Sequence, residues 1–385
     1  MLKKVFSVLV CFCLTIPLFA VFVSGAEPSV SAKSAIVMNA LTGEVVFSKN
    51  PYEKMGIAST TKIMTSLIAL ESGKTNKIVM AQKDDIAVEG TSIYLKEGDK
   101  VTVETLVKGM LLESGNDAAN VTARALGGSK EKFVVLMNRR ARELGMFSTN
   151  FLNPSGLSEE GHYSTAYDMA LLGSAAIRNE KFRAICSASS LSVAFGEPKT
   201  ERTFYNHNKF LNKYEGALGI KTGFTKASGR CLVTAVQRGS VIYVAVTLNA
   251  PNDWNDHIKM MDFAFDNTTV SYPECDLSGL EVAVVGSGLS ALKVELATPL
   301  EIHSVKLYED YDFVFYLPRF VYAGVKQGEI SGRVDLVSKN GTVIDSSALV
   351  FTTDAPEKAS EDNKNKSFFK KLINRFIEGL SQRQT

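Results

Sequence analysis

Apolar positions recur along this chain at two periods, and the change of period divides it. Ser34 to Met38 and Glu44 to Phe47 are β-branched or apolar runs around Thr42-Gly43, a hairpin signal. Ile63, Met64, Leu67 and Ile68 then share one helical face, as do Leu106, Val107, Met110 and Leu111, with Thr102 as the cap of the second helix. Phe133 to Leu144 and Ala166 to Ala176 repeat the helical pattern, with Asn153-Pro154-Ser155-Gly156 as a turn between them. Gly219 to Gly223 reads as a strand end, and Cys231 to Val236 and Val241 to Leu248 as adjacent antiparallel strands. Trp254, Ile258, Met261 and Phe265 return to helical spacing and should pack on that sheet. Strands at both ends with helices between and after predict an α/β unit over residues 27–272, one antiparallel sheet covered by helices.

Near Tyr272-Pro273 the period becomes two, as in Leu292, Val294, Leu296 and in Ile330, Val334, Leu336, which predicts a small β-sandwich over residues 273–353. A polar linker, Asp354 to Lys366, opens the final stretch 354–385. There Phe368, Phe369, Leu372, Ile373, Phe376, Ile377 and Leu380 alternate with Lys370, Lys371 and Arg375. This segment is too polar to cross a bilayer; it fits a helix lying on a membrane surface through residues 366–385, basic side chains toward anionic lipid. At the other end, Lys3 and Lys4, an apolar run from Val5 to Val23, and the small residues Ser24 and Ala26 read as a secretory signal, residues 1–26.

Composition adds exclusions. The 385 residues are 45% hydrophobic and 22% charged, as in an ordinary globular protein. Removing Lys3 and Lys4 from 43 basic residues leaves 41 against 41 acidic, so nothing draws the chain to nucleic acid. Outside the signal, Cys186, Cys231 and Cys275 form an odd set that cannot be a disulfide framework. His162, His207, His257 and His303 have no metal-ligand spacing, and no Gly-x-Ser-x-Gly elbow occurs. No cofactor and no metal are expected.

The candidate chemistry begins at Ser59-Thr60-Thr61-Lys62. Residues three apart share a helix face, so the Ser59 hydroxyl and the Lys62 amine can meet. A base within hydrogen-bond reach activates a serine, but an unperturbed lysine titrates near ~10.4; burial or a second cation must lower it. Ser-x-x-Lys also occurs at Ser129, Ser290 and Ser367, so the first copy stands out only by its company downstream: Ser114-Gly115-Asn116 in a helix break, then Lys221-Thr222-Gly223.

With Asn153-Pro154-Ser155-Gly156-Leu157 and Phe224-Thr225 flanking them, these motifs in this order resemble the serine D-Ala-D-Ala carboxypeptidases of peptidase family S11. Those are low-molecular-weight penicillin-binding proteins of bacterial cell-wall metabolism. The resemblance runs over nearly the whole chain and implies a β-lactamase/transpeptidase-like fold for the α/β unit. It implies Ser59 as the acylated nucleophile, Lys62 as its base, and Ser114 and Asn116 as proton relay and amide holder. Lys221 and Thr222 would bind the substrate's terminal carboxylate, with Lys221 staying charged and helping to keep Lys62 neutral. Backbone N–H groups of Ser59 and of Phe224, just after Gly223, would form the oxyanion hole. Some relatives have His where this chain has Phe224; a main-chain role survives that change. The implied partners are a peptidoglycan stem peptide ending in D-Ala-D-Ala and β-lactams as covalent inhibitors. The implied place is the outer face of the cytoplasmic membrane. Water as acceptor gives a carboxypeptidase, an amine a transpeptidase, and loss of turnover a β-lactam sensor. No Glu-x-x-x-Asn box lies between Asn116 and Lys221, which argues against a class A β-lactamase. The β-sandwich is expected to act as a spacer.

Overall fold

The structure is a computed structural model that describes residues 26–195, 198–306 and 308–358. Residues 1–25 and 359–385, which carry the expected signal and amphipathic segment, lie outside the described residues. The chain opens with the expected hairpin, Ser34–Asn39 (β1) and Val45–Lys49 (β2). A 3-10 turn over Ala58–Thr61 leads into Lys62–Glu71 (α1). Ile78–Met80 (β3) pairs with Lys100–Thr102 (β4) around a short helix, Lys83–Ile86 (α2). Val103–Leu112 (α3) comes next, capped by the Thr102 side chain as its sequence predicts. Asn116–Gly127 (α4), Lys130–Glu143 (α5), Ala166–Arg178 (α6) and Glu180–Cys186 (α7) complete this helical run.

A hairpin, Ser190–Phe195 (β5) with Thr200–Tyr205 (β6), precedes Ala217–Thr225 (β7), Gly229–Arg238 (β8) and Val241–Leu248 (β9). The resulting antiparallel sheet has the order β2-β1-β9-β8-β7, and Asp253–Asp266 (α8) closes the unit. Its two faces are read out by strand alternation. Ile36, Met38, Val244 and Val246 join the core under α1 and α6, whereas Ala35, Val37, Tyr243 and Ala245 join the core under α8. Every residue of β9 is buried, as a central strand covered on both sides requires. Lys221 lies within the edge strand β7, not at a strand end.

The C-terminal part is all-β. Thr269–Ser271 (β10) pairs with Ile302–Ser304 (β13). Glu281–Val285 (β11), Ala291–Leu296 (β12), Tyr311–Tyr316 (β14), Phe320–Tyr322 (β15), Ile330–Ser338 (β16) and Val343–Phe351 (β17) form one sheet in the order β14-β16-β17-β12-β11-β15. This sheet curls around Val282, Leu292, Val334, Leu336 and Leu349, and Ile302 of the small β10/β13 sheet joins the same core, so the all-β part is a curled sheet closed by that pair. The period-two reading fails at Ile330, which is 74% exposed, because a bulge between Ile330 and Gly332 shifts the alternation. The all-β part is tied to the sheet of the first by Glu44, whose carboxylate accepts from Val305 N and Lys306 N, and by Asn39 Nδ2 donating to His303 O.

Candidate active site

Ser59 sits in the 3-10 turn that starts α1, with Ala58 before it in the left-handed region at φ 46°. A non-glycine residue there is sparsely populated and costs roughly 1–3 kcal/mol. Gly156 (φ +84°) lies against the Ala58 carbonyl so closely that a Cβ would fall 1.9 Å from that oxygen. The turn carrying Ser155-Gly156 therefore braces the backbone just before the nucleophile candidate. His162 adds to this brace: Leu152 N donates to its Nδ1 at 3.2 Å, and its Nε2 lies 2.9 Å from Thr61 Oγ1. Burial pulls its pKa down to about 4, so it stays neutral near pH 7 and serves this brace.

Lys62 begins α1 and is fully buried. Its Nζ lies 2.9 Å from Ser59 Oγ, 2.7 Å from Asn116 Oδ1 and 2.6 Å from Ser155 O. Asn116, first residue of α4, donates from Nδ2 to Glu89 O at 2.6 Å, which fixes the orientation of its amide. Burial holds the Lys62 pKa well below its ordinary value; the charge of Lys221 lowers it further, and Asp117 opposes both. Lys221 is also buried, donates to Thr222 O at 3.0 Å, and burial draws its pKa to about 7. Burial thus works against the charge that the resemblance implies for Lys221, and a carboxylate beside it would favour that charge.

Strand β7 passes close to the nucleophile candidate. A Cβ at Gly223 would stand 3.0 Å from Ser59 N and 3.1 Å from Thr60 N, so any side chain here would have to push that turn aside by a few tenths of an ångström. Ser59, Ser114, Asn116, Thr222, Gly223 and Phe224 line one cavity of about 490 Å³. Lys62 and Lys221 lie behind its wall, reaching it through Ser59 and Thr222. Ser114, at φ 62°, enters the wall from the break between α3 and α4, but its hydroxyl makes no hydrogen bond among the described residues. The Phe224 side chain is 64% exposed and stands at the mouth.

Two contributors escape sequence reasoning. Ser155 reads only as part of a turn, yet its carbonyl holds Lys62. Asp117 reads as the start of a helix, yet it is completely buried and acts as the anchor of a loop. Its Oδ1 accepts from Ile93 N at 3.0 Å and Ala118 N at 2.8 Å, and its Oδ2 from Ser92 Oγ at 2.6 Å and Leu95 N at 3.0 Å. That loop in turn grips Asn116, whose N–H donates to Thr91 O. The Ser-Gly-Asn-Asp run was the available signal.

Residues 22–252 match the family described as D-alanyl-D-alanine carboxypeptidase, peptidase S11. Among known proteins the chain is 37% identical over 250 residues to D-alanyl-D-alanine carboxypeptidase DacF of Bacillus subtilis, covering 62% of this chain and 64% of that protein. It is 35% identical to D-alanyl-D-alanine carboxypeptidase DacC of Escherichia coli, covering 62% of each. The matched stretch thus spans less than two thirds of either relative. Of solved structures, D-alanyl-D-alanine carboxypeptidase DacD from Francisella tularensis superposes with a TM-score of 0.61 at 25% identity, over 86% of this chain and 95% of that one. The DD-transpeptidase of Streptomyces K15 superposes with a TM-score of 0.59 at 29% identity, over 62% of this chain and 98% of that one.

Proposed function

Because the chain belongs to the D-alanyl-D-alanine carboxypeptidase family, we propose that it removes the C-terminal D-alanine from peptidoglycan stem pentapeptides through an acyl-enzyme on Ser59. The observation that carries this reading is the 2.9 Å contact between Lys62 Nζ and Ser59 Oγ, with burial and Lys221 favouring the neutral amine. Ser59 Oγ attacks the carbonyl between the two D-alanines while Lys62 takes its proton. The oxyanion forms beside the backbone N–H groups of Ser59 and Phe224, a reading supported by the close approach of Gly223 to Ser59 N. The C–N bond then breaks, and the proton held by Lys62 passes to the leaving amine. Water, deprotonated by Lys62, attacks the ester and frees Ser59. Thr222, on the cavity wall, and Lys221 behind it would hold the terminal carboxylate, with Asn116 positioning the peptide amide.

The same attack on a β-lactam ring would leave a stable acyl-enzyme, so penicillin is the expected covalent inhibitor. Trimming the pentapeptide removes the donor for cross-linking, which places the enzyme in cell-wall biogenesis. We assign residues 27–272 to catalysis and 273–353 to the β domain, with export by residues 1–26 and attachment to the outer face of the membrane by 354–385. The likeness to a DD-transpeptidase supports a second reading, in which an amine replaces water as acceptor.

The test is D-alanine release from an acyl-D-Ala-D-Ala peptide by residues 27–385, beside Ser59→Ala. Release abolished by the substitution is the expected result. No release by the wild type, with penicillin still attaching at Ser59, would overturn hydrolysis in favour of transfer to an amine or of sensing.

A further inference from the structure

The outward face of the β11/β15 edge carries an apolar patch that no described element covers. In this parallel pair Ala283 stands opposite Phe320 and Val285 opposite Tyr322, while Val282 on the other face is fully buried in the core. Tyr322 is 70% exposed, Phe320 and Val285 are 49% exposed, and Leu289 in the adjoining turn is 44% exposed. The Phe320 and Tyr322 rings are in edge contact, centroids 5.6 Å apart. A sheet edge with contiguous exposed apolar side chains invites association, and soluble proteins blunt such edges unless they serve a contact.

The path of the chain says which contact. The last described segment crosses beside this patch: Lys358 N donates to Gly286 O at 2.8 Å, one residue from Val285. Eight further residues, 359–366, lead into the basic amphipathic segment. Fully extended they reach about 28 Å, so a tail lying on a membrane holds the patch within that distance of the surface. Arg319, Lys326 and Lys358 border the patch along the chain, as do Glu281 on the same face of β11, Asp354 and Glu357, three charges of each sign. The tail itself carries Lys366, Lys370, Lys371, Arg375 and Arg383 against Glu378 alone. A patch of balanced charge offers the basic tail no electrostatic partner, whereas the tail itself suits an anionic surface and aromatic rings with a polar tip settle at the headgroup level.

We propose that Val285, Leu289, Phe320 and Tyr322 form a second membrane contact, a lipid-facing edge of the β domain that rests on the bilayer beside the tail. This rests on the reading of residues 366–385 as a membrane-surface segment. Anchored at both the tail and the domain edge, the β domain is held in one orientation instead of swinging on a tether.

The experiment mixes residues 27–385 carrying Tyr322→Trp with phosphatidylglycerol–phosphatidylcholine vesicles whose acyl chains are brominated. The native Trp254, on the cleft wall, serves as the internal reference. The emission added by Tyr322→Trp should be quenched and that of Trp254 should not. The pair Phe320→Ser and Tyr322→Ser should weaken vesicle partition about tenfold or more, with D-alanine release from soluble peptide unchanged as the check on folding. Sedimentation with vesicles without quenching overturns the proposal and leaves the tail reading standing; no sedimentation overturns both. An emission shift at position 322 without vesicles, absent from a chain ending at Lys358, would make the tail the occupant and also overturn it. Activity on soluble peptide reports separately on the catalytic assignment.

Discussion

Replacing Asp117 with asparagine should damage both stability and acylation, and the size of the effect can be worked from its four hydrogen bonds. An amide has one oxygen, so one of the two carboxylate positions becomes an NH₂ donor. Placing the nitrogen at the Oδ1 position would orphan Ile93 N–H and Ala118 N–H together. The cheaper choice is Oδ2, where the Ser92 hydroxyl can turn and accept, but Leu95 N–H cannot. One hydrogen bond to a charged group is lost, about 1.5–3 kcal/mol, and one buried N–H is left unpaired, about 1–3 kcal/mol. The total of roughly 2.5–6 kcal/mol corresponds to a drop in Tm of roughly 5–24 °C at the usual 2–4 °C per kcal/mol for a domain of this size. The loss falls on the loop whose Glu89 and Thr91 carbonyls hold Asn116, so acylation by a fluorescent penicillin should slow at least about tenfold. Differential scanning calorimetry and stopped-flow labelling measure the two effects. A lowered Tm with acylation unchanged would refute the coupling of this loop to the cleft, and an unchanged Tm would refute the hydrogen-bond reasoning itself.

Three further outcomes are expected. Lys221→Gln removes a charge that depresses Lys62, so the Lys62 pKa rises and the acid limb of the penicillin-acylation pH profile moves to higher pH; Asp117→Asn moves it the other way. Gly156→Ala forces a Cβ against Ala58 O at a backbone angle that disfavours alanine, and should cost more than about 2 kcal/mol in urea unfolding and slow acylation. Gly98→Ala, with a similar φ of +87° and open space around it, should cost only the backbone part, about 1 kcal/mol, and equal losses for the two would refute the bracing role of Gly156. Phe224→Ala should keep kcat/KM for D-alanine release within about fivefold, whereas Phe224→Pro, which deletes the N–H, should abolish it; the reverse order would assign the role to the side chain.

Most of the fold is legible because the patterns that encode it are local. The hairpin around Thr42-Gly43, the Thr102 cap and the α1 face each lie within one short stretch of chain, the longest being Ser34 to Lys49. The Ser59–Lys62 pairing is local too, one turn of backbone. What the chain hides are contacts made across it. Ser155 O meets Lys62 Nζ over 93 positions, and Asp117 binds a loop more than 20 residues upstream, through partners that are mostly backbone and leave no mark on residue identity. Ile330 illustrates another blind spot, since the first of two register shifts along β16 puts it on the face opposite to the one its spacing from Val334 predicts. The left-handed Ala58 and Ser114 are invisible for a third reason: neither residue type announces such a conformation, and only the packing around it maintains it.

The surroundings of Lys62 determine where its proton must leave. As an ammonium, Nζ has three hydrogens and three acceptors around it, Ser59 Oγ, Asn116 Oδ1 and Ser155 O. Loss of one proton leaves two hydrogens and a lone pair to share among the same three neighbours. The Ser155 oxygen is a carbonyl and the Asn116 oxygen is held in place by the bond of its amide nitrogen to Glu89, so neither can become a donor. Ser59 alone has a hydrogen to offer. Neutralising the amine therefore points its lone pair at the serine hydroxyl with no rotation of the side chain, the arrangement that the proposed proton transfer from Ser59 to Lys62 requires.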